Sequence, residues 1–324
     1  MSSIVFFGEC MIELFQNDEN LLEQTYAGDM FNSAVYLKRT FPQLEVNFAT
    51  AIGRDLYSTN MLEMFYREHI GTEFVFRSET KIPGLYSIQT DPEGERSFTY
   101  WRSDSAARQV MKFIDTAVMN KLIRQKMFFF SGISLAVISP EDREKFWWLL
   151  TGLKRAGVLI VFDLNYRARL WNSPQEAKHM FETALTHCDV CLPGVDDFKQ
   201  LYEFENAQQV ADFCQPFSIQ ELIIKNGADG IYCVNDSETF QIEVEPVTKV
   251  VDSTSAGDSF NGVYLGARLC GYESRIAIEL ASKAAAEVIK HRGAIVPSKA
   301  FKEFVEGLAI PSIGNAPSAS LRLI

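Results

Sequence analysis

Short apolar runs that alternate with helical patterns constrain the fold of this 324-residue chain more than any other feature. The runs are continuous rather than alternating, which is typical of strands buried on both faces; they lie at 4–8, 46–52, 127–132 and 158–163. Between them, apolar residues recur at helical spacing, at 30–40, 57–69, 140–156 and 175–187. This alternation predicts an α/β fold, a three-layer sandwich in which helices cover both faces of a mostly parallel central sheet.

Two stretches interrupt the alternation, because 10–28 and 73–102 show strands and turns but no helical pattern. In the second stretch, Pro83-Gly84 and the run at 91–94 are turn signals. Both stretches leave α/β units near the strand ends, where ligands bind in open α/β sheets. We therefore expect a small β-sheet lid, with an ordinary edge hairpin as the alternative. The lid would consist of 10–29 and 73–102, and the catalytic domain of 1–9, 30–72 and 103–324.

Charge and composition exclude several classes of protein. The net charge is −11 and no basic block exists, which argues against a nucleic-acid surface. No run of about 18 apolar residues is present, so we expect no membrane span, and the N-terminus lacks the regions of a signal peptide. The six cysteines are scattered, and the pair Cys188 and Cys191 has no second pair with which to bind a metal. We expect a cytoplasmic protein with reduced thiols that acts on a small molecule.

The most informative segment is 252–262, which reads Asp-Ser-Thr-Ser-Ala-Gly-Asp-Ser-Phe-Asn-Gly. An apolar, β-rich stretch at 247–251 precedes it and an amphipathic helix follows, which predicts a strand, a small-residue loop and a helix N-terminus. Unpaired amides at a helix N-terminus attract phosphate, and Gly257 would let a ligand approach the main chain. Asp258 could accept a hydroxyl proton during phosphoryl transfer; the alternative is that it is only a first-turn acid.

Two common nucleotide fingerprints are missing. No G-x-G-x-x-G follows the first strand, which disfavours a nicotinamide dehydrogenase. Gly257 and Gly262 have the glycine spacing of a P-loop, but Val263 stands in place of the required lysine. The positive charge for a bound phosphate must therefore come from another part of the chain.

Segment 252–262 resembles the C-terminal signature of the ribokinase-like (PfkB) sugar kinases, and the resemblance spans nearly the whole chain. It begins at Gly-Glu-Cys-Met-Ile-Glu (8–13) and includes 28–32, 51–55 and 292–296. The segments at 83–86, 94–102, 131–134 and 163–171 are similar to one branch of this family, the 2-keto-3-deoxygluconate kinases. The resemblance implies a ribokinase-like sandwich with a β-lid, and a kinase that uses ATP and Mg²⁺.

The resemblance also implies a role for each matching residue. Asp258 would be the catalytic base, and the backbone of Ser255, Ala256 and Gly257 would hold the transferred phosphoryl group. The ATP site would be lined by the same turn together with Lys225, Gly227 and, near the adenine, Ser282. The sugar acid would be bound by Gly28, Asp29, Asn32, Tyr86, Tyr100, Arg102 and Arg167.

Two arginines give an independent reason to expect an acidic sugar. A guanidinium binds a carboxylate through two parallel hydrogen bonds, and both Arg102 and Arg167 follow strand ends near the expected cleft. The alternatives are a solvated charge for Arg102, an ion pair with a nearby aspartate for Arg167 and a surface charge for Lys225. Plain helix capping competes for Asp29 and Asn32, and sheet-face packing competes for the two tyrosines.

One departure from the family concerns Mg²⁺. Many relatives carry Asn-x-x-Glu, which helps to organise Mg²⁺ through water, whereas this chain has Gly194 and Asp197 at those two positions. The surviving carboxylate is compatible with Mg-ATP, and Asp197 would act through water. A monovalent-cation site in the loops near Asp252 and Gly293 is left open.

Together these features predict an ATP-dependent kinase that phosphorylates the 6-hydroxyl of 2-keto-3-deoxygluconate. The alternatives are a kinase of the same family for fructose, ribose or another sugar acid, and a non-catalytic sugar-binding regulator on the same scaffold. The unpaired edges of the lid also predict a homodimer that forms through the two lids.

Overall fold

The computed structural model describes residues 2–16, 21–90 and 96–310. The strands of these residues, β1 to β13 in chain order, are Ser3–Phe7, Met11–Gln16, Leu22–Ala27, Glu45–Ile52, Gly71–Arg77, Leu85–Thr90, Arg96–Trp101, Met127–Ser131, Leu159–Asp163, Val190–Cys191, Glu221–Lys225, Ile231–Asn235 and Thr239–Ile242. The α-helices, α1 to α12, are Asp29–Thr40, Leu56–Arg67, Val110–Phe113, Thr116–Leu122, Gly132–Val137, Arg143–Arg155, Pro174–His187, Val195–Tyr202, Ala207–Cys214, Ala256–Leu269, Ser274–Val288 and Ser298–Gly307.

Nine strands form one sheet with the order β13-β12-β11-β10-β9-β8-β1-β4-β5. The pairs from β11 to β5 are parallel, and β12 and β13 run antiparallel at one edge. Every residue of β1, β8 and β9 is buried, which explains why these strands read as continuous apolar runs. The predicted α/β class with a mostly parallel sheet is confirmed.

The two faces of this sheet carry separate hydrophobic cores. On β1, Ile4 and Phe6 belong to one core, and Val5 and Phe7 to the other. Residues of α1, α2, α10, α11 and α12 pack into the first core, whereas residues of α3 to α9 pack into the second. The three-layer sandwich is therefore confirmed. The carboxyl ends of its parallel strands meet at one edge, where loops can form a site.

A second sheet of four strands, with the order β3-β2-β6-β7, forms the lid. The hairpins β2–β3 and β6–β7 are antiparallel, and β2 pairs with β6 in parallel. The expected start of the second lid segment at residue 73 is wrong, because β5 pairs with β4 in the large sheet. Phe74 is buried in the core of the large domain, so this lid segment begins only after Arg77.

The stretch 247–251 is not a strand, in contrast to the expectation from its β-rich sequence. Val250 and Val251 are 56% and 44% exposed, and the Val251 amide donates to the Ile289 carbonyl at 2.8 Å rather than to a neighbouring strand. The sequence prediction also omits five helices: α3, α4 and α5 are too short to carry a strong periodicity, whereas α9 and α12 are amphipathic and were missed. The turn predicted at 91–94 lies outside the described residues. Within the described ranges, no helix is both long and apolar enough to cross a bilayer.

Candidate active site

A cavity of about 1410 Å³ opens between the lid, the carboxyl ends of the parallel strands and the N-terminal end of α10. Pockets for one small ligand usually measure roughly 300–1,000 Å³, so this cavity has room for two substrates side by side. The fold brings every residue predicted for the site to the wall of this one cavity: Gly28, Asp29, Asn32, Tyr86, Tyr100, Arg102, Arg167, Asp197, Lys225, Gly227, Ser255, Ala256, Gly257, Asp258 and Ser282.

Asp258 lies in the first turn of α10 and is held from two sides. Asn32 Nδ2 donates to Asp258 Oδ2 at 2.8 Å, and Ser255 Oγ donates to the same oxygen at 3.1 Å. Gly262 allows the contact with α1, because a Cβ at this position would lie 2.1 Å from the Ser33 carbonyl oxygen. The close packing of α10 against α1 therefore fixes the orientation of the carboxylate.

Burial raises the pKa of Asp258 to about 7, and the nearby Asp29 carboxylate adds to the shift. The hydrogen bonds from Asn32 and Ser255 act in the opposite direction. A carboxylate with a pKa near neutrality is a stronger base than an ordinary aspartate and is still ionised in a large part of the molecules at neutral pH. A plain first-turn acid would be free in solvent, so the two side-chain hydrogen bonds that hold Asp258 at the cavity wall favour a chemical role.

Asp29, the first residue of α1, is part of a buried polar network. Ser131 Oγ donates to Asp29 Oδ2 at 2.5 Å, and Asn165 Nδ2 donates to the same oxygen at 3.0 Å. The Gly28 amide donates to Asn32 Oδ1 at 3.3 Å, so Asn32 binds both the residue that precedes α1 and Asp258, and it does not cap the helix. Ser131 and Asn165 were not predicted as site residues, although both follow strand ends where a cleft is expected.

Lys225, at the carboxyl end of β11, lies beside the first turn of α10. Its Nζ donates to Asp163 Oδ2 at 3.1 Å and to Asn261 Oδ1 at 3.0 Å. A Cβ on Gly257 would lie 3.9 Å from the same nitrogen. The Lys225 side chain is only 16% exposed, so the alternative of a simple surface charge is wrong.

Sequence reasoning missed the two residues that hold this lysine, Asp163 and Asn261. Asn261 Nδ2 donates to Asp163 Oδ2 at 2.7 Å, which completes a triangle with the ammonium group. Asp163 Oδ1 is buried and has no hydrogen-bond partner among the described residues, and Asp163 lines the cavity. Its place at the end of a buried parallel strand is the sequence feature that could have identified it.

The turn before α10 combines backbone strain with positive potential. Ser255 has a φ of 68°, in the left-handed region that is unfavourable for a non-glycine residue. Of the three amides expected to hold a phosphoryl group, that of Ala256 already donates to the Ser253 carbonyl at 3.3 Å. The Gly257 amide has no acceptor within α10 because it lies in the first turn. The Gly257 amide and the neighbouring Lys225 ammonium at the end of β11 therefore give this turn a positive potential.

The lid contributes an aromatic wall. The rings of Tyr86 and Tyr100 stack with their centroids 5.5 Å apart, and the Tyr86 hydroxyl donates to the Glu13 carboxylate. The guanidinium carbon of Arg169 lies 3.9 Å from the centroid of the Tyr100 ring, which is a cation–π contact. Arg169 also lines the cavity, and the sequence assignment did not include it.

The two predicted arginines lie in different surroundings. Arg102 is buried, and its Nε and Nη2 both approach Glu9 Oε2, at 2.8 and 2.5 Å. Arg167 is 45% exposed; its Nη1 donates to the Tyr166 carbonyl at 2.8 Å and lies 3.9 Å from Asp197 Oδ1. A solvated charge is therefore wrong for Arg102, whereas the ion pair considered for Arg167 is present as a long contact.

Asp197 lies in the first turn of α8, beside Gly194. A Cβ at Gly194 would lie 3.1 Å from Asp197 Oδ2, so the glycine leaves space next to this carboxylate. Burial, followed by the Asp163 charge, raises the pKa of Asp197 to about 6. Among the described residues, no group of three or more His, Cys, Asp or Glu side chains could hold a metal ion. Mg²⁺ would need phosphate oxygens as further ligands, which is its usual mode of binding in nucleotide sites.

The opposite end of the cavity is less polar. Its wall includes Val247, Val250 and Ile289, beside Gly227, which explains why the valines are exposed outside any sheet. Ser282 Oγ is buried at this wall without a hydrogen-bond partner in the described chain. Such apolar side chains suit a flat heteroaromatic ring, and the charged residues Glu279 and Lys283 line the cavity beside Ser282.

Comparison with known proteins identifies the family. Residues 1–300 match the model of the pfkB family carbohydrate kinases. This chain belongs to that family. The predicted family and the prediction of a phosphotransferase that acts on a carbohydrate are confirmed.

Curated relatives of this pfkB kinase cover nearly its whole length. It is 36% identical over 305 residues to the 2-dehydro-3-deoxygluconokinase of Dickeya dadantii, covering 92% of this chain and 98% of that protein. It is 37% identical over 301 residues to the 2-dehydro-3-deoxygluconokinase of Haemophilus influenzae, covering 91% and 96%. An Escherichia coli protein solved in complex with ATP and Mg²⁺ has a TM-score of 0.79 at 20% identity, with 95% and 100% of the two chains covered. This likeness confirms the ribokinase-like fold of the pfkB kinase.

Proposed function

We propose that this pfkB-family kinase transfers the γ-phosphoryl group of ATP to the 6-hydroxyl of 2-keto-3-deoxygluconate, also called 2-dehydro-3-deoxygluconate. The products would be ADP and the 6-phosphate ester. The observation that carries the proposal is a single cavity with a half-buried aspartate, Asp258, at one side and the guanidinium groups of Arg102 and Arg167 at another. The substrate in the names of the Dickeya and Haemophilus relatives supports the same choice.

Asp258 would act as the base. The terminal hydroxyl attacks the γ-phosphorus, its proton passes to the Asp258 carboxylate, and the bond to the ADP oxygen breaks. Asn32 and Ser255 hold the accepting group in one orientation, so that little reorganisation is needed when the proton moves.

The positively charged turn would hold the transferred group. The Gly257 amide and the Lys225 ammonium lie together, and both can stabilise the negative charge on the phosphoryl oxygens. The backbone of Ser255 and Ala256 would contribute if the long Ala256–Ser253 bond opens on binding.

Mg²⁺ would be needed because the cavity is rich in carboxylates. Asp163 and Asp197 lie close enough for the charge of the first to raise the pKa of the second, and one buried oxygen of Asp163 has no hydrogen-bond partner among the residues that the structure describes. These two carboxylates would face the metal, Asp197 through water. Bound Mg²⁺ supplies charge neutralisation for the phosphates. The complex of the Escherichia coli fold neighbour with ATP and Mg²⁺ is consistent with this requirement.

The remaining residues of the cavity wall would bind the sugar acid on one side and ATP on the other. Gly28, Asp29 and Asn32 would bind sugar hydroxyls, and Tyr86 and Tyr100 would pack against the carbon chain. Arg102 and Arg167 would bind its carboxylate, for which bidentate guanidinium contacts are well suited. Gly227 would line the ATP site, and Ser282 would donate to or accept from the adenine.

A substrate panel with Mg-ATP tests the proposal. The panel contains 2-keto-3-deoxygluconate, its galactonate epimer, fructose and ribose, with ATP consumption as the readout and phosphorus NMR to locate the ester. We expect the highest kcat/KM for a keto acid, with phosphate on the 6-oxygen. A tenfold preference for fructose would contradict the proposed substrate, and an absence of ATP consumption with every sugar of the panel would favour the non-catalytic regulator.

We also propose a homodimer through the lids. The lid edge strands β3 and β7 carry the exposed side chains of Leu22 and Trp101, 67% and 59% accessible, and such edges favour pairing with another chain. Light scattering should give about twice the chain mass of 36.7 kDa. A concentration-independent monomer mass would contradict the dimer.

A monovalent-cation site near Asp252 is part of the same proposal. The Gly293 amide donates to Asp252 Oδ2 at 2.6 Å and the Thr254 amide to Oδ1 at 3.0 Å, so this aspartate ties the two loops together. A cation held there would act on the turn that precedes α10. Replacing K⁺ by a large organic cation should lower kcat, and an unchanged kcat would exclude the site.

A further inference from the structure

Glu9 lies at the junction where the chain passes between the large domain and the lid. The chain crosses between the large domain and the lid four times. It enters the lid after Glu9 and leaves it at Gly28, and it enters the lid again at Gly84 and leaves it at Arg102. All three of these other crossings touch Glu9. A Cβ on Gly28 would lie 2.2 Å from the Glu9 carbonyl oxygen, and one on Gly84 would lie 2.6 Å from Glu9 Oε1. Arg102 forms an ion pair with Glu9 Oε2.

The Glu9–Arg102 pair is buried, and the Arg102 guanidinium carbon also lies 6.0 Å from the centroid of the Tyr100 ring. The two side chains are 1% and 8% exposed. Glu9 Oε1 has no hydrogen-bond partner in the described residues, so the carboxylate depends on Arg102 for its hydrogen bonds. A buried charge that loses its only partner is strongly destabilised, so each group constrains where the other can lie.

Within this ion pair, the Nη1 group of the Arg102 guanidinium is left to bind a ligand. Nε and Nη2 both point to Glu9 Oε2, at 2.8 and 2.5 Å. The guanidinium is planar and rigid, so fixing this edge also fixes the direction of Nη1. Arg102 and Glu9 both line the cavity.

We propose that Glu9 is a positioning residue, which orients Arg102 toward the carboxylate of the sugar acid and thereby sets the preference for acidic sugars. This inference rests on the proposed function of the site. Because Glu9 also contacts Gly28 and Gly84, it couples the direction of the arginine to the position of the lid.

A double-mutant cycle with Glu9→Gln and Arg102→Met tests the inference. Glu9→Gln keeps the shape of the side chain but removes the charge that holds Arg102. We expect its KM for 2-keto-3-deoxygluconate to rise about tenfold to a hundredfold, the range expected from a small misplacement of a binding group. Its kcat and its KM for ATP should stay within twofold of the wild type. In the Arg102→Met background, Glu9→Gln should cause no further rise in KM.

Two further variants keep the test decisive. Asp104→Asn breaks the exposed Lys81–Asp104 pair beside the same junction and should leave every KM unchanged. Gly84→Ala keeps both buried charges but presses a methyl group against Glu9 Oε1 and Arg102, so its KM for the keto acid should also rise. Calorimetric binding of the keto acid without ATP gives a second readout that does not depend on turnover.

The outcomes separate this inference from the proposed function. A wild type that neither binds nor phosphorylates the keto acid contradicts both. If the wild type phosphorylates the keto acid normally and Glu9→Gln lowers only the melting temperature, the positioning role is contradicted but the proposed function is not. The same holds if the KM effects of Glu9→Gln and Arg102→Met multiply.

Discussion

The two ends of the proposed sugar-binding site are held in place by different kinds of contact. At the core end, Asp258 and Lys225 are held by hydrogen bonds to side chains from α1, β9 and α10, all within the large domain. At the lid end, Arg102 is held by one buried carboxylate at the junction of lid and core. Arg167 lines the same cavity but follows β9 in the large domain, and it is half exposed and only loosely paired.

This difference indicates that the two ends have different roles, one in catalysis and the other in substrate selection. Groups fixed within one packed domain keep their geometry whether or not the lid moves, which is what proton transfer and charge stabilisation require. Groups at a junction change position with the lid, so they are better suited to selecting the substrate. Changes at the core end should therefore lower kcat, and changes at the lid end should raise KM.

The largest effect is expected for Asp258→Asn. The amide can still accept the hydrogen bonds from Asn32 and Ser255 but cannot take a proton, so kcat should fall by about 10²–10⁴-fold while both substrates still bind. Steady-state kinetics and calorimetry measure the two effects. Asp212→Asn, on the exposed face of α9, is the matched control. A near-normal kcat for Asp258→Asn would exclude it as the base.

Lys225→Met should have the next largest effect, a fall in kcat of roughly 10²-fold, as found when one electrostatic donor to a transition state is removed. It also leaves Asp163 buried without its cation, so the KM for Mg-ATP should rise. Lys199→Met, which breaks an ion pair whose lysine is 57% exposed, should change neither constant. A Lys225 variant with altered KM for the sugar acid alone would contradict its place at the phosphate.

The arginines should show smaller effects, confined to KM. A hydrogen bond to a charged group contributes about 1.5–3 kcal/mol, so Arg102→Met should raise the KM for the keto acid by roughly 10–100-fold. Arg167→Met should raise it less, because solvent screens a half-exposed charge. The KM for fructose should change little in either variant. An equal rise in KM for both sugars would mean that the arginines do not bind the carboxylate.

Among the effects on catalysis, the pH dependence near neutral pH should be the smallest. Since the pKa of Asp258 is raised to about 7, kcat/KM should rise with pH and level off above about pH 7.

Stability should change in the opposite sense. Ionising the half-buried carboxylate disfavours the folded state as pH rises from about 4 to about 7. Asp258→Asn removes this cost and should therefore be more stable than the wild type above pH 7, by up to about 4 kcal/mol. Denaturant titrations at pH 5 and pH 8 measure the difference. An equal difference at both values would contradict the raised pKa.

The sequence predicted the core end better than the lid end. The mostly parallel sheet follows from continuous apolar runs, and the placement of Asp258 follows from a local motif at a helix start. The hydrogen bonds of Lys225 could not be predicted, because Asp163 lies 62 residues away and meets it only through the order of the parallel strands. The stretch 247–251 reads as a strand but lines the cavity instead. The role of Glu9 depends on packing at the junction, which no local pattern encodes.

A crystal structure of the wild-type enzyme with 2-keto-3-deoxygluconate and a non-hydrolysable ATP analogue would test the division between the two ends most directly. The account predicts that the sugar carboxylate lies within about 3 Å of a guanidinium nitrogen of Arg102. The terminal hydroxyl should lie at a similar distance from the Asp258 carboxylate, facing the γ-phosphate. A sugar bound in the reverse direction, or a carboxylate that contacts neither Arg102 nor Arg167, would contradict it.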